Sequence, residues 1–388
     1  MFADRVNHLE AEGAYAVLAR AQELERQGRE ILHLELGQPD FPTPENIKEK
    51  GIQAIRENRT KYTSPSGIHR FRELIAEAAG KQRGLNITPE MVVVGPGSKP
   101  GLFFPTMALV QPGDEVIYPD PGFPTYSAMI GVAGGVGVPI PLSEENQFSF
   151  DLDIFDRKIS DKTKLIILNS PANPTGGVIP LDDLKHIAEK AQKHNAWVLA
   201  DEIYSRLVYD GMSTAPSIAS IDGMFERTII ADGFSKTFAM PGWRLGYSIA
   251  PQGLAERLGL LVTHSVGSTA EFTQYAGMEG ITGPQDFVEQ MVTEYQRRRD
   301  CMVELVNAIP GVQAQKPQGA FYVFPNIKSF EISSKEIQRR LLDEAGVAVL
   351  AGTDFGAGGS GYIRLAYATS MEIIERAMEK IHDFFRSL

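Results

Sequence analysis

Short runs of continuous apolar residues alternate with helical periodicity along most of this chain. Glu12 to Gln27 reads as a helix, with apolar Tyr15, Leu18, Ala19 and Leu24 and Gly28 as its stop. Ile31–Leu36 reads as a strand ending at Gly37. Thr43-Pro44-Glu45 reads as a helix start, with Thr43 as the cap and an acid at the positive helix end. A helix from Ile68 to Gln82 and a strand Met91–Val94 follow. Then come apolar runs at Glu115–Tyr118, Lys164–Leu168, Trp197–Ala200 and Thr228–Ile230, each leading into a polar or glycine-rich loop. Runs that are apolar at every position suit strands buried on both faces, as in a mostly parallel sheet.

The texture changes near Pro284. A long polar helix, Pro284 to Ala308, is expected to turn its run Arg297-Arg298-Arg299 to solvent. A strand Ala320–Phe324, a helix Ser334–Glu344, a strand Tyr362–Ala366 and a helix from Ser370 complete the chain. The pattern predicts an α/β protein with a smaller α+β unit.

Composition narrows the function. The chain has 388 residues and a formal charge of −11, with 43 % hydrophobic and 22 % charged residues. Those values are ordinary for a globular protein. The acidic balance argues against general nucleic-acid binding, which needs a basic face. The one cysteine, Cys301, excludes an internal disulfide and suits a reducing cytoplasm. Residues 1–27 hold Asp4, Glu10, Glu12, Glu23 and Glu25, which is not a signal peptide, and no apolar run is long enough for a membrane span. No metal site is read. The sequons at Asn58 and Asn86 read as chance.

The chemistry concentrates where the apolar runs end, which in a parallel sheet is where ligands bind. Lys236 follows such a run, within Ser235-Lys236-Thr237-Phe238-Ala239-Met240-Pro241-Gly242-Trp243-Arg244-Leu245-Gly246-Tyr247. A lysine of lowered pKa can form a Schiff base with an aldehyde, as in pyridoxal phosphate enzymes. Such an enzyme also needs an acid at the ring nitrogen, donors to the ring oxygen and a phosphate cup. Asp201 ends an apolar run, where a charge is costly unless paired. Tyr204 and Asn173 could donate to the ring oxygen. Gly97-Ser98-Lys99 opens a helix whose amides could face a phosphate, with Ser235 and Arg244 completing the cup. Taken singly, each group is ordinary: a turn acid, a turn, a surface arginine, a helix cap. Five separate strand ends delivering complementary groups is not.

This set resembles the class I/II aminotransferases, pyridoxal phosphate enzymes of fold type I. The resemblance runs from Leu36-Gly37-Gln38-Pro39-Asp40-Phe41 to Ile363-Arg364-Leu365, through Asn173-Pro174-Thr175-Gly176, Asp201-Glu202-Ile203-Tyr204 and the lysine segment. It implies a large domain, 45–283, with a mostly parallel seven-stranded sheet, and a small α+β domain from 1–44 and 284–388. It implies that Phe123 stacks on the cofactor ring and that Arg364 and the Gly37 backbone hold the substrate carboxylate. It implies that Tyr62 reaches the phosphate of a neighbouring subunit, in a homodimer with shared active sites. The implied activity is ping-pong transfer of an amino group between an L-amino acid and a 2-oxo acid. A carbon–sulfur β-lyase on the same fold is the alternative. Lys99-Pro100 departs from the usual pattern; Lys99 could join the phosphate cup, face an acidic substrate or point to solvent. Tyr15 and Tyr322 could line the side-chain pocket. A sensor domain attached to a DNA-binding segment is disfavoured, because Gly37 comes too early. A nicotinamide enzyme is disfavoured because Gly95-Pro96-Gly97-Ser98-Lys99-Pro100 breaks the Gly-x-Gly-x-x-Gly pattern.

Overall fold

A seven-stranded sheet carries the architecture of the computed structural model, which describes residues 3–7, 9 and 11–388. Glu10, counted above among the N-terminal acids, lies outside them. In chain order the strands are β1 (Leu32–His33), β2 (Val92–Gly95), β3 (Glu115–Asp120), β4 (Val136–Pro141), β5 (Thr163–Asn169), β6 (Trp197–Asp201), β7 (Thr228–Gly233) and β8 (Gly246–Ile249). After them come β9 (Tyr322–Val323), β10 (Val347–Ala348), β11 (Leu350–Ala351) and β12 (Ile363–Ala366). The large sheet has the order β2-β8-β7-β6-β5-β3-β4. Only β8 runs against its neighbours.

The apolar runs become the middle of this sheet. Leu165, Ile166 and Ile167 of β5 and Val198 and Leu199 of β6 are fully buried, because helices cover both faces. The helix Leu181–Lys193 shows how. Leu184, Ile187, Ala188 and Ala191 face inward at helical spacing, with Asp182 and Asp183 in the first turn and Lys190 and Lys193 in the last.

Register aligns the strand ends. Asn169 of β5 stands opposite Asp201 of β6, and Asp201 opposite Ala231 of β7. Gly233 and Gly95 both stand opposite Gly246 of β8. Three glycines in a row leave that end of the sheet bare of side chains.

The chain's two ends meet. β1 pairs in parallel with β10, and β11-β12-β9 form a second small sheet. Leu32 and Leu34 share a core with Met291, Tyr295, Ile374 and Ile381. The helix Gly13–Arg26 instead sends Val17, Ala21 and Leu24 into a core with β5, β6 and the helix Leu181–Lys193.

Three sequence expectations fail here. Thr43 does not cap its helix: Pro44 holds the cap position of Glu45–Arg56, and the Thr43 hydroxyl donates to the Ala239 carbonyl. The strand read at Ile31–Leu36 is only Leu32–His33, since the backbone beyond turns toward other partners. Of the arginine run, only Arg297 faces water. Arg298 pairs with Asp40 at 2.9 Å and with Glu294 at 2.8 Å. Arg299, fully buried, pairs with Asp210 at 2.8 Å and Asp300 at 2.7 Å. Both guanidinium groups are buried while their acids keep part of their surface in water, so the arginines are neutralised by pairing rather than hydrated.

Candidate active site

Asp201, the last residue of β6, is buried with its carboxylate facing the helix that follows β3. The Tyr126 hydroxyl donates to its Oδ2 at 2.8 Å, while the Ile203 amide reaches Oδ1 only at 3.4 Å. Burial pushes the Asp201 carboxyl up to about 6, with Tyr126 pulling the other way. One oxygen is therefore well satisfied and the other is still able to accept.

A bonded chain runs from this acid to Arg364. The Asn169 side chain donates to the Asp201 carbonyl at 3.1 Å and accepts the Asn173 amide at 2.8 Å. The Asn173 side-chain oxygen accepts from Arg364 Nη1 at 3.0 Å. Arg364, on β12, is buried between the rings of Tyr322 and Phe355, at 4.4 and 5.0 Å. Its Nη2 donates to the Glu35 carbonyl, and its buried Nε has no partner. A buried guanidinium with an unspent donor suits a planar acid.

Lys236 sits in the short helix Phe234–Thr237 that ends β7. Its Nζ donates to the Gly37 carbonyl and lies 5.7 Å from the Tyr204 ring and 5.6 Å from the Phe321 ring. Burial, then the charges of Arg364 and Arg244, lower its pKa to about 8. Tyr204 is buried, its hydroxyl 2.7 Å from that of Tyr322, and burial raises its pKa well above the ordinary value.

Gly97, Ser98 and Lys99 open the helix Lys99–Leu109, and the Ser98 hydroxyl caps nothing. Gly97 has φ +90°, and a Cβ there would collide with the Arg244 guanidinium; a Cβ on Gly246 would strike the Gly97 backbone. Arg244 donates to the Pro241 carbonyl at 2.9 Å, and Ser235 is buried beside this cradle at the end of β7. Phe123 packs edge-on to Tyr126 at 5.8 Å, with Lys99 Nζ 5.3 Å from its ring. Lys99 also pairs with Glu12. The donor set suits a cofactor with a basic ring nitrogen, an aldehyde and a phosphate, which is what pyridoxal phosphate is.

The match to known families decides the class. The model for "Aminotransferase class I and II" matches residues 29–381. The chain belongs to this family. It is 40 % identical over 90 % of each chain to an aromatic-amino-acid aminotransferase of Thermococcus litoralis. It is 39 % identical over 92 % of each chain to an aspartate aminotransferase of Pyrococcus abyssi. Its fold matches an aspartate aminotransferase of Thermus thermophilus, solved with maleate, at TM-score 0.94 and 38 % identity over the whole of both chains. Aminotransferases of this family work with pyridoxal phosphate, and all three relatives are named for transamination, none for carbon–sulfur cleavage.

Of the expected site residues, the structure brings together Gly37, Gly97, Ser98, Lys99, Phe123, Asn173, Asp201, Tyr204, Ser235, Lys236, Arg244 and Arg364. Tyr62 is not among them: it is almost entirely exposed. Tyr15 is also exposed, whereas Tyr322 is buried against Tyr204. Tyr126 and Asn169 escaped the sequence reading. Both carried a signal, Asn169 as a polar residue closing a buried strand and Tyr126 as an aromatic in the first turn of a helix after a strand end.

Proposed function

We propose that this aminotransferase carries pyridoxal phosphate on Lys236 and moves the amino group of an L-amino acid to a 2-oxo acid by a ping-pong mechanism. The observation that carries the reading is the bonded chain joining buried Asp201, through Asn169 and Asn173, to buried Arg364, with Lys236 between them. When bound, the cofactor supplies an aldehyde for amines and a ring that withdraws electrons from the substrate Cα.

Asp201 would keep a proton on the ring nitrogen, and Tyr126 would keep Asp201 ionised for that role. Tyr204, braced by Tyr322, and Asn173 would donate to the ring oxygen. Phe123 would lie along the ring. Gly97, Ser98, Lys99, Ser235 and Arg244 would take the phosphate. Arg364, Asn173 and the Gly37 backbone would take the substrate carboxylate. Lys236, poised near neutral pH, would accept the Cα proton and return it elsewhere, a task that needs a pKa close to the working pH.

Two features support a homodimer with shared sites. Tyr62, Ile55, Leu260 and Val266 are exposed. An open cleft of about 910 Å³ beside the cradle is lined by Phe41, Pro96, Trp243, Arg244, Val266 and Phe272. Tyr62 of a second copy would complete the phosphate site. The division into 45–283 and the two ends, 1–44 with 284–388, is supported by the shared core of Leu32 and Leu34 with the C-terminal helices. Among the described residues no helix is long and apolar enough to cross a membrane, and a cytoplasmic setting fits the single cysteine.

The relatives' names point to aspartate and aromatic amino acids as the donors to try first. A panel of donors against 2-oxoglutarate, pyruvate and oxaloacetate tests the reading. Transfer with ping-pong kinetics, lost in Lys236→Ala, is the expected result. Ammonia and pyruvate from cystathionine without any acceptor would favour the lyase, and no transfer with any pair would sink transamination.

A further inference from the structure

Behind Arg364 lies a charge pair that the reading above does not use. Glu35 is fully buried, and its carboxylate Oε1 is 2.8 Å from His33 Nδ1. The other ring nitrogen, His33 Nε2, is 3.1 Å from Glu25 on the helix Gly13–Arg26. Glu35 Oε2 is buried and has no partner. The same residue offers its backbone carbonyl to Arg364 Nη2, and two residues on the Gly37 carbonyl receives Lys236. One short segment thus holds both cationic groups of the site by main-chain oxygens, with a buried carboxylate beside them.

A buried carboxylate near Arg364 competes with any acid in the pocket for the guanidinium charge. We propose that His33 is a positioning residue for substrate: its imidazolium neutralises the Glu35 carboxylate and leaves the Arg364 charge free for the substrate's own carboxylate. This rests on the assignment of Arg364 to carboxylate binding.

The surroundings agree. His33 is faced by Glu35 and Glu25, and its hydrogen bond to Glu35 is the first cause raising its pKa to about 9, so it is charged at neutral pH. Arg364 is faced by Tyr322, Tyr204, Glu35 and Asp354. The helix Met371–Arg386, which also packs on β1, spends Arg376 on Glu30. Its Lys380 lies near Gly346 and acts on Glu30. Neither takes the place of His33. His33 itself is partly exposed and its ring nitrogens are taken by Glu35 and Glu25, so it acts on Arg364 through Glu35.

The test is a mutant cycle on the holoenzyme. Dissociation constants of succinate and 3-phenylpropionate, two unreactive acids, are measured by calorimetry, alongside KM and kcat. His33→Gln is expected to weaken both acids by about 3–10-fold and to raise KM with kcat within about twofold. His33→Lys, which keeps the cation, should restore binding. The double variant His33→Gln/Glu35→Gln should also restore it, because the uncompensated charge is gone. A purely structural role predicts the opposite, a double variant at least as weak as the single one. Unchanged binding in His33→Gln overturns the proposal, as does a failure of both restoring variants. Arg364→Lys is the control. If it binds both acids like the wild type, the carboxylate role of Arg364 falls and this proposal with it. If it loses them while His33→Gln does not, this proposal alone falls.

Discussion

Lys236→Met probes the electrostatics of the site without any cofactor. The amine titrates at about 8 instead of 10.5, chiefly because it is buried, with Arg364 and Arg244 adding to the effect and Asp201 opposing it. The difference is about 2.5 units at about 1.4 kcal/mol each, so keeping a cation there costs folding roughly 3.5 kcal/mol. The sign follows from proton counting. Between pH 8 and 10.5 the unfolded chain holds a proton that the folded one has released, so wild-type stability rises with pH across that window. Below pH 8 both states are protonated and the full cost applies. Methionine carries no charge and escapes it, but leaves the Gly37 carbonyl without its donor, a pH-independent loss of about 1 kcal/mol. The cofactor-free variant should therefore be about 2.5 kcal/mol more stable than the wild type at pH 7. That lead should disappear and turn into a small deficit by pH 10.5. Urea melts of the two apo-proteins from pH 6.5 to 10.5 measure it. A difference that does not change with pH would mean that Lys236 titrates like a surface lysine, and the reasoning would be wrong.

Three further changes test other parts of the site. Tyr126→Phe removes the donor that holds the Asp201 pKa down, so the acid limb of the kcat/KM profile should move up by about 1 unit; an unmoved limb would separate Tyr126 from Asp201 function. Gly97→Ala places a side chain at φ +90° and against Arg244. It should cost about 1–2 kcal/mol of stability and make the enzyme lose cofactor at least tenfold faster on dilution, read from its absorbance. Retention equal to the wild type would remove Gly97 from the cup. Arg83→Leu leaves Glu202, 2.6 Å away, and Asp232, 3.6 Å away, as buried acids without their cation. Asp232 already titrates near 7, chiefly through burial. A loss of about 3–5 kcal/mol in urea melts is expected, and a loss under 1 kcal/mol would show that the hydroxyl of Ser217 on Glu202 and that of Tyr247 on Asp232 suffice.

The parts of this protein that could be read from its sequence are those whose cause is local. β5, β6 and β7 announce themselves because burial on both faces requires apolar residues at every position. Asp201 and Lys236 stand out because each closes such a run. β4 was missed: it is an edge strand with Val136 half exposed and Pro139 and Pro141 in its length, the residues that normally argue against a strand. β8 starts at the last glycine of the Gly-Trp-Arg-Leu-Gly segment, which reads for chemistry rather than for pairing. The misread arginines depend on distance. Arg298 meets Asp40, 258 residues away, and Arg299 meets Asp210, 89 residues away. No local pattern separates an arginine with such a partner from one in water. Thr43, bonded to Ala239, and Glu35, bonded through its carbonyl to Arg364 329 residues away, belong to the same class.

An unpaired buried nitrogen does not by itself mark a site. Arg72 and Arg227 each bury an Nε without a partner, as Arg364 does. Their remaining nitrogens simply bond nearby carbonyls and side chains, Pro89 for Arg72 and Ala191 with Asn195 for Arg227. Arg364 differs in what else it does: its charge, with that of Arg244, adds to burial in lowering the pKa of Lys236. The cations suited to a carboxylate and a phosphate are therefore the same ones that weaken the central base. Anions arriving beside them cancel that push, so Lys236 becomes a stronger base as the pocket fills. A chain with a net charge of −11 can still attract anions where Lys236, Arg244 and Arg364 stand together, and that grouping adds to burial in setting the basicity of Lys236.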